Sequence, residues 1–80
     1  MSVKDAVAER FREVCAEREI RINELANLSG VTASTAYSMM DPKRHDISTR
    51  TVKKLCDGLE ISIETFFGSQ LFKNLEQEIK

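Results

Sequence analysis

The sequence has little of what breaks a fold and no segment suited to a membrane. Among its 80 residues there are one proline and three glycines, which is too few for a disordered or low-complexity chain. No run approaches the roughly 18 apolar residues that a membrane span requires. No apolar signal region follows the charges at the N-terminus. We therefore expect one domain that has no membrane partner and is located in the cytoplasm.

Cysteine and histidine are also scarce. Cys15 and Cys56 lie far apart and His45 is the only histidine, whereas a zinc site takes three or four ligands at short spacing. A disulfide is unexpected in a reducing cytosol, so both cysteines are predicted to be small buried apolar residues. No serine or cysteine has a visible base partner, and no glycine-rich phosphate loop exists. These gaps predict no enzyme activity, no metal or cofactor and no small-molecule substrate.

Positive charge is lacking overall but not locally. The formal net charge is −1, yet residues 21–54 hold six lysines and arginines against three acids, while residues 55–80 hold two against five. A phosphate-binding face depends on local rather than global positive charge. The middle of the chain is therefore where we expect any contact with nucleic acid.

Apolar residues recur at helical spacing along the chain, and no segment alternates with the period of a strand. Five short helices are predicted: 3–18, 22–29, Ala33–Met40, one capped by Ser48 and one capped by Ser62. Gly30 would end the second helix and Pro42 would stop the third. The predicted core consists of Phe11, Val14, Leu25, Ala26, Val31, Ala36, Met39, Val52, Leu55, Leu59, Ile61 and Phe66. The fold class is all-α, a compact bundle of five short helices.

Residues 22–41 show the pattern typical of a helix-turn-helix, in which two short helices cross at a steep angle. The close approach of the helices requires a small residue, here Ala26, and the sharp turn requires the positive φ that Gly30 adopts without penalty. Apolar residues must fill the wedge between the helices, and four stand at the required places: Leu25, Val31, Ala36 and Met39. This joint match predicts a helix-turn-helix made by the second and third helices.

Three segments carry a resemblance to a known family: LANLSGVTASTAYSMM, the basic loop DPKRHDIS and TVKKLCDGLEISIETFF. With them the chain resembles the lambda-repressor-like regulators of the Cro/repressor or XRE type, especially small single-domain bacterial or phage members. The resemblance runs from about Arg10 to Phe67. It implies a five-helix domain that binds double-stranded DNA with its third helix in the major groove.

The resemblance also implies two sets of contact residues. On the third helix, the residues that would contact base edges are Ala33, Ser34, Tyr37 and Ser38. The DNA backbone would be met by Thr32, Thr35, Lys43, Arg44, His45 and Arg50. Two plainer interpretations remain open, namely a polar helix face without function and a loop whose charges are only solvated.

The chain departs from the family pattern at several positions. Ile22 stands where many members have a glutamine that clamps a phosphate, and Ala33 where many have a glutamine or arginine that contacts bases. Arg21 replaces a common serine or threonine cap. Because no bidentate reader is visible on the third helix, we expect specificity to depend more on dimerisation, the loop or DNA shape. Arg10 fits a family position that often pairs with an acid of the second helix, here Glu24.

The C-terminal residues carry a further apolar stripe. Leu71, Phe72, Leu75 and Ile79 lie at helical spacing, which predicts a sixth, amphipathic helix over residues 69–80, after a helix-turn-helix domain of residues 1–68. Two interpretations of this helix remain open. It either folds back onto the first helix and closes the core, or protrudes as a surface for a second protomer.

From the resemblance we expect a sequence-specific transcriptional regulator of repressor type, acting as a homodimer on double-stranded DNA. The alternative is a protein-interaction module, or an antitoxin-like regulator with a protein partner, that keeps the fold with weak or no DNA binding. The acidic C-terminal third and the missing glutamine readers keep this alternative open.

Overall fold

Five short α-helices and one 3₁₀ turn make up the protein in a computed structural model that describes residues 2–44 and 46–75. In chain order the helices are α1 (Val3–Glu17), α2 (Ile22–Ser29), α3 (Ala33–Met40), α4 (Thr49–Gly58) and α5 (Ile63–Phe67). The described ranges contain no strand, and the prediction of an all-α bundle of five helices is confirmed. None of the described helices is both long and apolar enough to cross a membrane.

Serine and threonine caps fix where the helices begin. At four helices the hydroxyl oxygen of the cap accepts a hydrogen bond from the backbone N–H three residues later, at 3.0–3.2 Å: Ser2 from Asp5, Thr32 from Thr35, Ser48 from Thr51 and Ser62 from Thr65. Each cap satisfies one of the backbone donors that a helix start leaves free. The start of α2 differs, because there the Glu24 carboxylate accepts from the Arg21 N–H at 3.4 Å.

Three helices end in the same left-handed turn. Positive φ occurs just beyond each helix: Gly30 (69°) follows α2 directly, whereas Glu19 (56°) follows α1 and Glu60 (57°) follows α4 after one further residue. The N–H of the next residue then donates to the carbonyl five positions back, from Ile20 to Cys15, from Val31 to Ala26 and from Ile61 to Cys56, at 3.0–3.1 Å. These three apolar residues pack against the core, so each turn both satisfies carbonyls and adds buried surface.

The basic residues of α1, and Arg18 directly after it, cap the ends of other helices. The Lys4 Nζ donates to the Asp41 carbonyl at 2.6 Å and the Arg12 guanidinium to the Met40 carbonyl at 3.3 Å, both at the end of α3. Arg10 donates to the Phe66 carbonyl of α5 at 2.9 Å, and Arg18 to the Leu59 carbonyl after α4. None of α2 to α5 has a basic residue in its own last turn. These cations therefore satisfy carbonyls and complement helix dipoles within the fold.

The expected pairing of Arg10 with Glu24 does not occur. Arg10 pairs with Glu13, one turn further along α1, and also donates to the carbonyls of Thr65 and Phe66. The carboxylate of Glu24 is directed to the N-terminus of its own helix. Arg10 consequently joins α1 to α5 rather than to α2.

The core is shared by all five helices. Its buried residues are Val7, Phe11, Val14, Cys15, Leu25, Met39, Val52, Leu55, Cys56, Leu59 and Phe66. At its centre the rings of Phe11 and Phe66 lie 4.4 Å apart. The predicted core residues are buried, except that Val31 and Ile61 are only partly buried. Helices this short are marginal by themselves, so their stability comes from this burial, worth about 1.5–3 kcal/mol for each large side chain.

The C-terminal end of α4 lies close against the end of α2. A Cβ built on Gly58 would overlap Ser29 Oγ and lie 2.9 Å from the Ser29 Cα and 3.0 Å from the Leu28 carbonyl carbon. Ser29 Oγ is buried and has no hydrogen-bond partner among the described residues. A glycine at this place lets the backbones of α2 and α4 approach each other.

The tail begins differently from the predicted sixth helix. After α5 the described residues form a single 3₁₀ turn, Gln70–Phe72, which packs on α1. The ring of Phe72 lies 4.8 Å from that of Phe67 and 5.9 Å from that of Phe66. The aromatic contacts hold the chain against the bundle within one turn. Ile79 and the rest of the predicted helix after residue 75 lie outside the described residues.

Both cysteines are buried thiols, as predicted. Cys56 is fully buried, and burial, with a smaller effect from Asp57, raises the pKa of its thiol to about 11 from an ordinary value of 9.0. Burial also raises the pKa of Cys15. The Cys56 thiol therefore keeps its proton to higher pH in the folded state than in the unfolded state. This difference stabilises the fold below about pH 9, and the stabilisation is lost as the pH rises through 11.

We expect the free energy of unfolding to be about 1 kcal/mol lower at about pH 10 than at about pH 8 on account of Cys56 alone. Urea unfolding at a series of pH values measures it. The Cys56→Ala variant serves as the control, because it removes this thiol and keeps every other titratable group. An equally steep decline in that variant would contradict the assignment to Cys56.

Candidate nucleic-acid interface

The framework of the helix-turn-helix is formed by α2 and α3 as the sequence predicts. Leu25, Ala26, Ala36 and Met39 are at most 3% exposed between the helices. Gly30 adopts the left-handed conformation at the turn. The same turn directs Val31 against the core. With only three residues between α2 and α3, the framework fixes the direction in which α3 presents its outer face.

The outer face of α3 is uncharged and made largely of small residues. Ala33, Ser34, Thr35 and Tyr37 are exposed, and Ser38 is half-buried. Tyr37 keeps 53% of its surface exposed. The hydroxyls of Thr32 and Thr35 lie 2.9 Å apart and share a hydrogen bond at the start of the helix. This face can come close to a groove and offer hydroxyls and methyl groups to base edges.

A tight turn after α3 presents the basic residues of the loop. The Arg44 N–H donates to the Asp41 carbonyl at 3.0 Å, and the Lys43 N–H donates to the Asp41 carboxylate at 2.9 Å. Pro42 occupies the position where a fixed φ favours such a turn. Lys43 and Arg44 are exposed. His45, the third predicted contact of the loop, lies outside the described residues.

A groove joins this turn to α3 and α4. Its volume is ≈ 180 Å³ and its walls include Thr35 and Ser38 of α3, Arg44 of the loop, and Ser48 and Thr51 at the start of α4. Asp46 also lines it and contributes a negative charge. The structure thus brings together predicted base contacts, predicted backbone contacts and a helix N-terminus, whose partial positive charge favours anions.

Arg50 lies apart from this groove. It is exposed on α4 and lines a second groove with Val52, Lys53, Ile63 and Phe67. Of the predicted backbone contacts, Arg44 and Thr35 therefore share one groove, whereas Arg50 stands beside an apolar surface of α4 and α5.

The structure adds a cation that the sequence did not single out as a contact. Arg21 is exposed before α2 and shares a groove with Tyr37, Arg12 and Ile22. The sequence marked Arg21 only as an unusual helix cap. Its position beside Tyr37 places positive charge next to α3 in a groove separate from the one that contains Arg44. This neighbourhood could be found only from the crossing of the helices.

An apolar patch adjoins the interface. Val3, Ile63 and Phe67, here called the α1–α5 patch, are 41%, 38% and 38% exposed. Phe67 lines one groove with Ile63 and another with Val3. The groove with Val3 also contains Asp46 and Ile47, which line the groove beside α3 as well. The rim of the patch has both signs of charge, because Arg50 and Lys53 line the groove with Ile63 and Asp46 lines the groove with Val3.

Comparisons with known proteins cover this whole region. The sequence model of a protein family described as the Cro/C1-type HTH DNA-binding domain matches residues 10–70. A solved structure, described as the crystal structure of the prophage Lp1 protein 11, is similar over 94% of this chain and 100% of its own, with a TM-score of 0.81 and 26% sequence identity. No curated protein matches the chain. The residues matched by the family model include α2, α3 and the groove beside α3.

Proposed function

Since the chain belongs to the Cro/C1-type helix-turn-helix family of DNA-binding domains, we propose that it is a transcriptional regulator, of repressor type, that binds specific sequences of double-stranded DNA. The groove shared by α3, the basic turn and the start of α4 carries this proposal. A helix that enters the major groove is flanked by phosphates, and here the flanks hold Arg44 and the N–H groups of α4.

In this proposal α3 meets the bases and its surroundings meet the backbone. Ala33, Ser34, Tyr37 and Ser38 face base edges, while Thr32, Thr35, Lys43, Arg44, His45 and Arg50 meet phosphates. Small hydroxyls make single hydrogen bonds and methyl groups meet thymine methyls, whereas a bidentate arginine or glutamine pair is worth about 1–3 kcal/mol of discrimination. Because α3 has no such bidentate pair, each protomer has low specificity through direct base contacts. The sequence-dependent shape of the DNA contributes further specificity.

A homodimer compensates for this low specificity. The α1–α5 patch supports it, since exposed apolar surface of this kind marks interfaces and its rim of mixed charge suits a contact with an identical surface. The patch adjoins the groove at Asp46 and Ile47, so a partner seated there would leave both α3 helices free for half-sites about 34 Å apart. The protein would act in the cytoplasm and without catalysis.

The dependence of DNA binding on salt tests the proposal. We expect log K against log salt to be linear with a slope of several units, reduced by roughly one in each of Lys43→Ala, Arg44→Ala and Arg50→Ala, because each phosphate contact releases counterions. Fluorescence anisotropy with a random duplex across a range of salt concentrations measures the slope.

Lys73→Ala is the matched control, because it removes an exposed charge beyond the 3₁₀ turn and should leave the slope unchanged. A folded protein that shows no binding at low salt would exclude the proposal. It would favour instead a protein-interaction module or antitoxin-like regulator, for which the exposed α1–α5 patch would be the contact surface.

A further inference from the structure

Lys4 has an unusual place for a lysine. It lies in the first turn of α1 and is only 2% exposed. Its Nζ donates to the backbone carbonyl of Asp41, 37 residues away, at 2.6 Å. Lysine is almost never fully buried unless it is paired, and burying its ammonium is costly unless strong hydrogen bonds compensate. An apolar side chain of similar length would fill the same space without that cost.

The carbonyl that Lys4 holds also closes the basic turn. The same Asp41 oxygen accepts the N–H of Arg44 at 3.0 Å, and the Asp41 carboxylate accepts the N–H of Lys43 at 2.9 Å. The Asp41 N–H in turn donates to the Ser38 carbonyl of α3 at 3.2 Å. Asp41 therefore connects the end of α3 to both cations of the turn, and Lys4 connects Asp41 to α1.

The turn has few other fixed contacts. Lys43 and Arg44 are exposed, as is Pro42. A loop with little buried surface opens easily, and a cation that moves freely loses more side-chain entropy when it meets a phosphate than one whose backbone is already placed. A charged hydrogen bond from a helix of fifteen residues supplies a firm anchor for this turn.

We propose that Lys4 is a positioning residue for DNA binding: it anchors the Asp41–Arg44 turn to α1 and thereby fixes where Lys43 and Arg44 stand beside α3. Lys4 itself does not touch DNA. This inference rests on the proposed function, because it explains how the backbone contacts of the loop are placed.

The Lys4→Met variant tests the proposal, because methionine keeps the length of the buried chain and removes the donor. We expect the variant to melt within a few degrees of the wild type and to bind duplex DNA about tenfold more weakly. Lys73→Met removes the same charge from an exposed place and should bind as the wild type does. Anisotropy titrations and thermal unfolding measure both effects.

Two further measurements separate positioning from a general loss of stability or from direct contact. Hydrogen exchange of the Arg44 amide should become about tenfold faster in Lys4→Met, while amides of α4 and α5 keep their rates. In a Lys43→Ala, Arg44→Ala background, Lys4→Met should weaken binding no further, because it acts through those two residues. An additive loss in that background, or unchanged exchange at Arg44, would overturn the proposal.

If the wild type binds no DNA, the proposed function fails, and the exchange of Arg44 still decides whether Lys4 holds the turn.

Discussion

Replacing Gly58 by alanine is expected to lower the free energy of unfolding by about 2 kcal/mol and the melting temperature by about 10 °C. Helix propensity alone predicts the opposite sign, since alanine is about 1 kcal/mol better than glycine inside a helix. The new Cβ would, however, lie 2.9 Å from the Ser29 Cα and 3.0 Å from the Leu28 carbonyl carbon. Both are backbone atoms, so α2 itself must shift, and the steric cost exceeds the gain in propensity.

Two variants control this prediction. At Gly68 an added Cβ would meet only the Glu64 carbonyl oxygen at 3.3 Å and that of Thr65 at 3.5 Å, so Gly68→Ala should change stability much less. Ser29→Ala removes a buried hydroxyl for which the described residues offer no partner and should be tolerated. Because the obstacle is backbone, Gly58→Ala should remain destabilising when Ser29 is alanine. Urea unfolding of the wild type and the four variants measures this, and a Gly58→Ala variant as stable as the wild type would contradict the close approach.

Ser34→Glu is expected to weaken DNA binding at least about 100-fold while the domain stays folded. Ser34 is exposed in the first turn of α3, where a carboxylate would face bases and phosphates, and like charges brought together in an interface cost several kcal/mol. The same carboxylate favours the helix, because negative charge near a helix N-terminus is worth about 0.3–1 kcal/mol. Loss of binding would therefore come with an unchanged or slightly higher melting temperature.

The matched control is Gln70→Glu, which makes the same change of charge on the exposed surface of the 3₁₀ turn. Anisotropy titrations with a duplex selected from a random pool, beside circular dichroism melts, compare the three proteins. Full binding by Ser34→Glu would mean that α3 does not meet the DNA. Equal loss in both variants would point to net charge alone.

The predictable parts of this fold are those with local causes. Thr32, Ser48 and Ser62 mark helix starts because each accepts from a backbone N–H three residues later, and Gly30 marks a turn because its φ is unfavourable for other residues. The identical turns at Glu19 and Glu60 escaped prediction, since glutamate gives no sign of positive φ. There the buried contacts of Ile20 and Ile61 compensate for the unfavourable conformation.

Long-range contacts account for what the sequence did not predict. The framework of the candidate interface lies within twenty residues of chain, but the groove beside α3 depends on how the loop returns to α4. The bond from Lys4 to Asp41 spans 37 residues and that from Arg10 to Phe66 spans 56. Nothing in the spacing of α1 distinguishes these cations from solvated ones. The tail likewise shows helical spacing, yet the contacts of Phe72 with Phe66 and Phe67 lie at a 3₁₀ turn.

The three cations of α1 and Arg18, which follows it, have a consequence for how the domain opens. α3, α4 and α5 are eight, ten and five residues long, too short to persist alone. At the end of each, a carbonyl is bound by a cation of α1 or by Arg18, which follows α1. Separation of α1 would expose three helix ends at once. Unfolding of one helix therefore leads to no stable, partly unfolded intermediate. The domain unfolds as one cooperative unit.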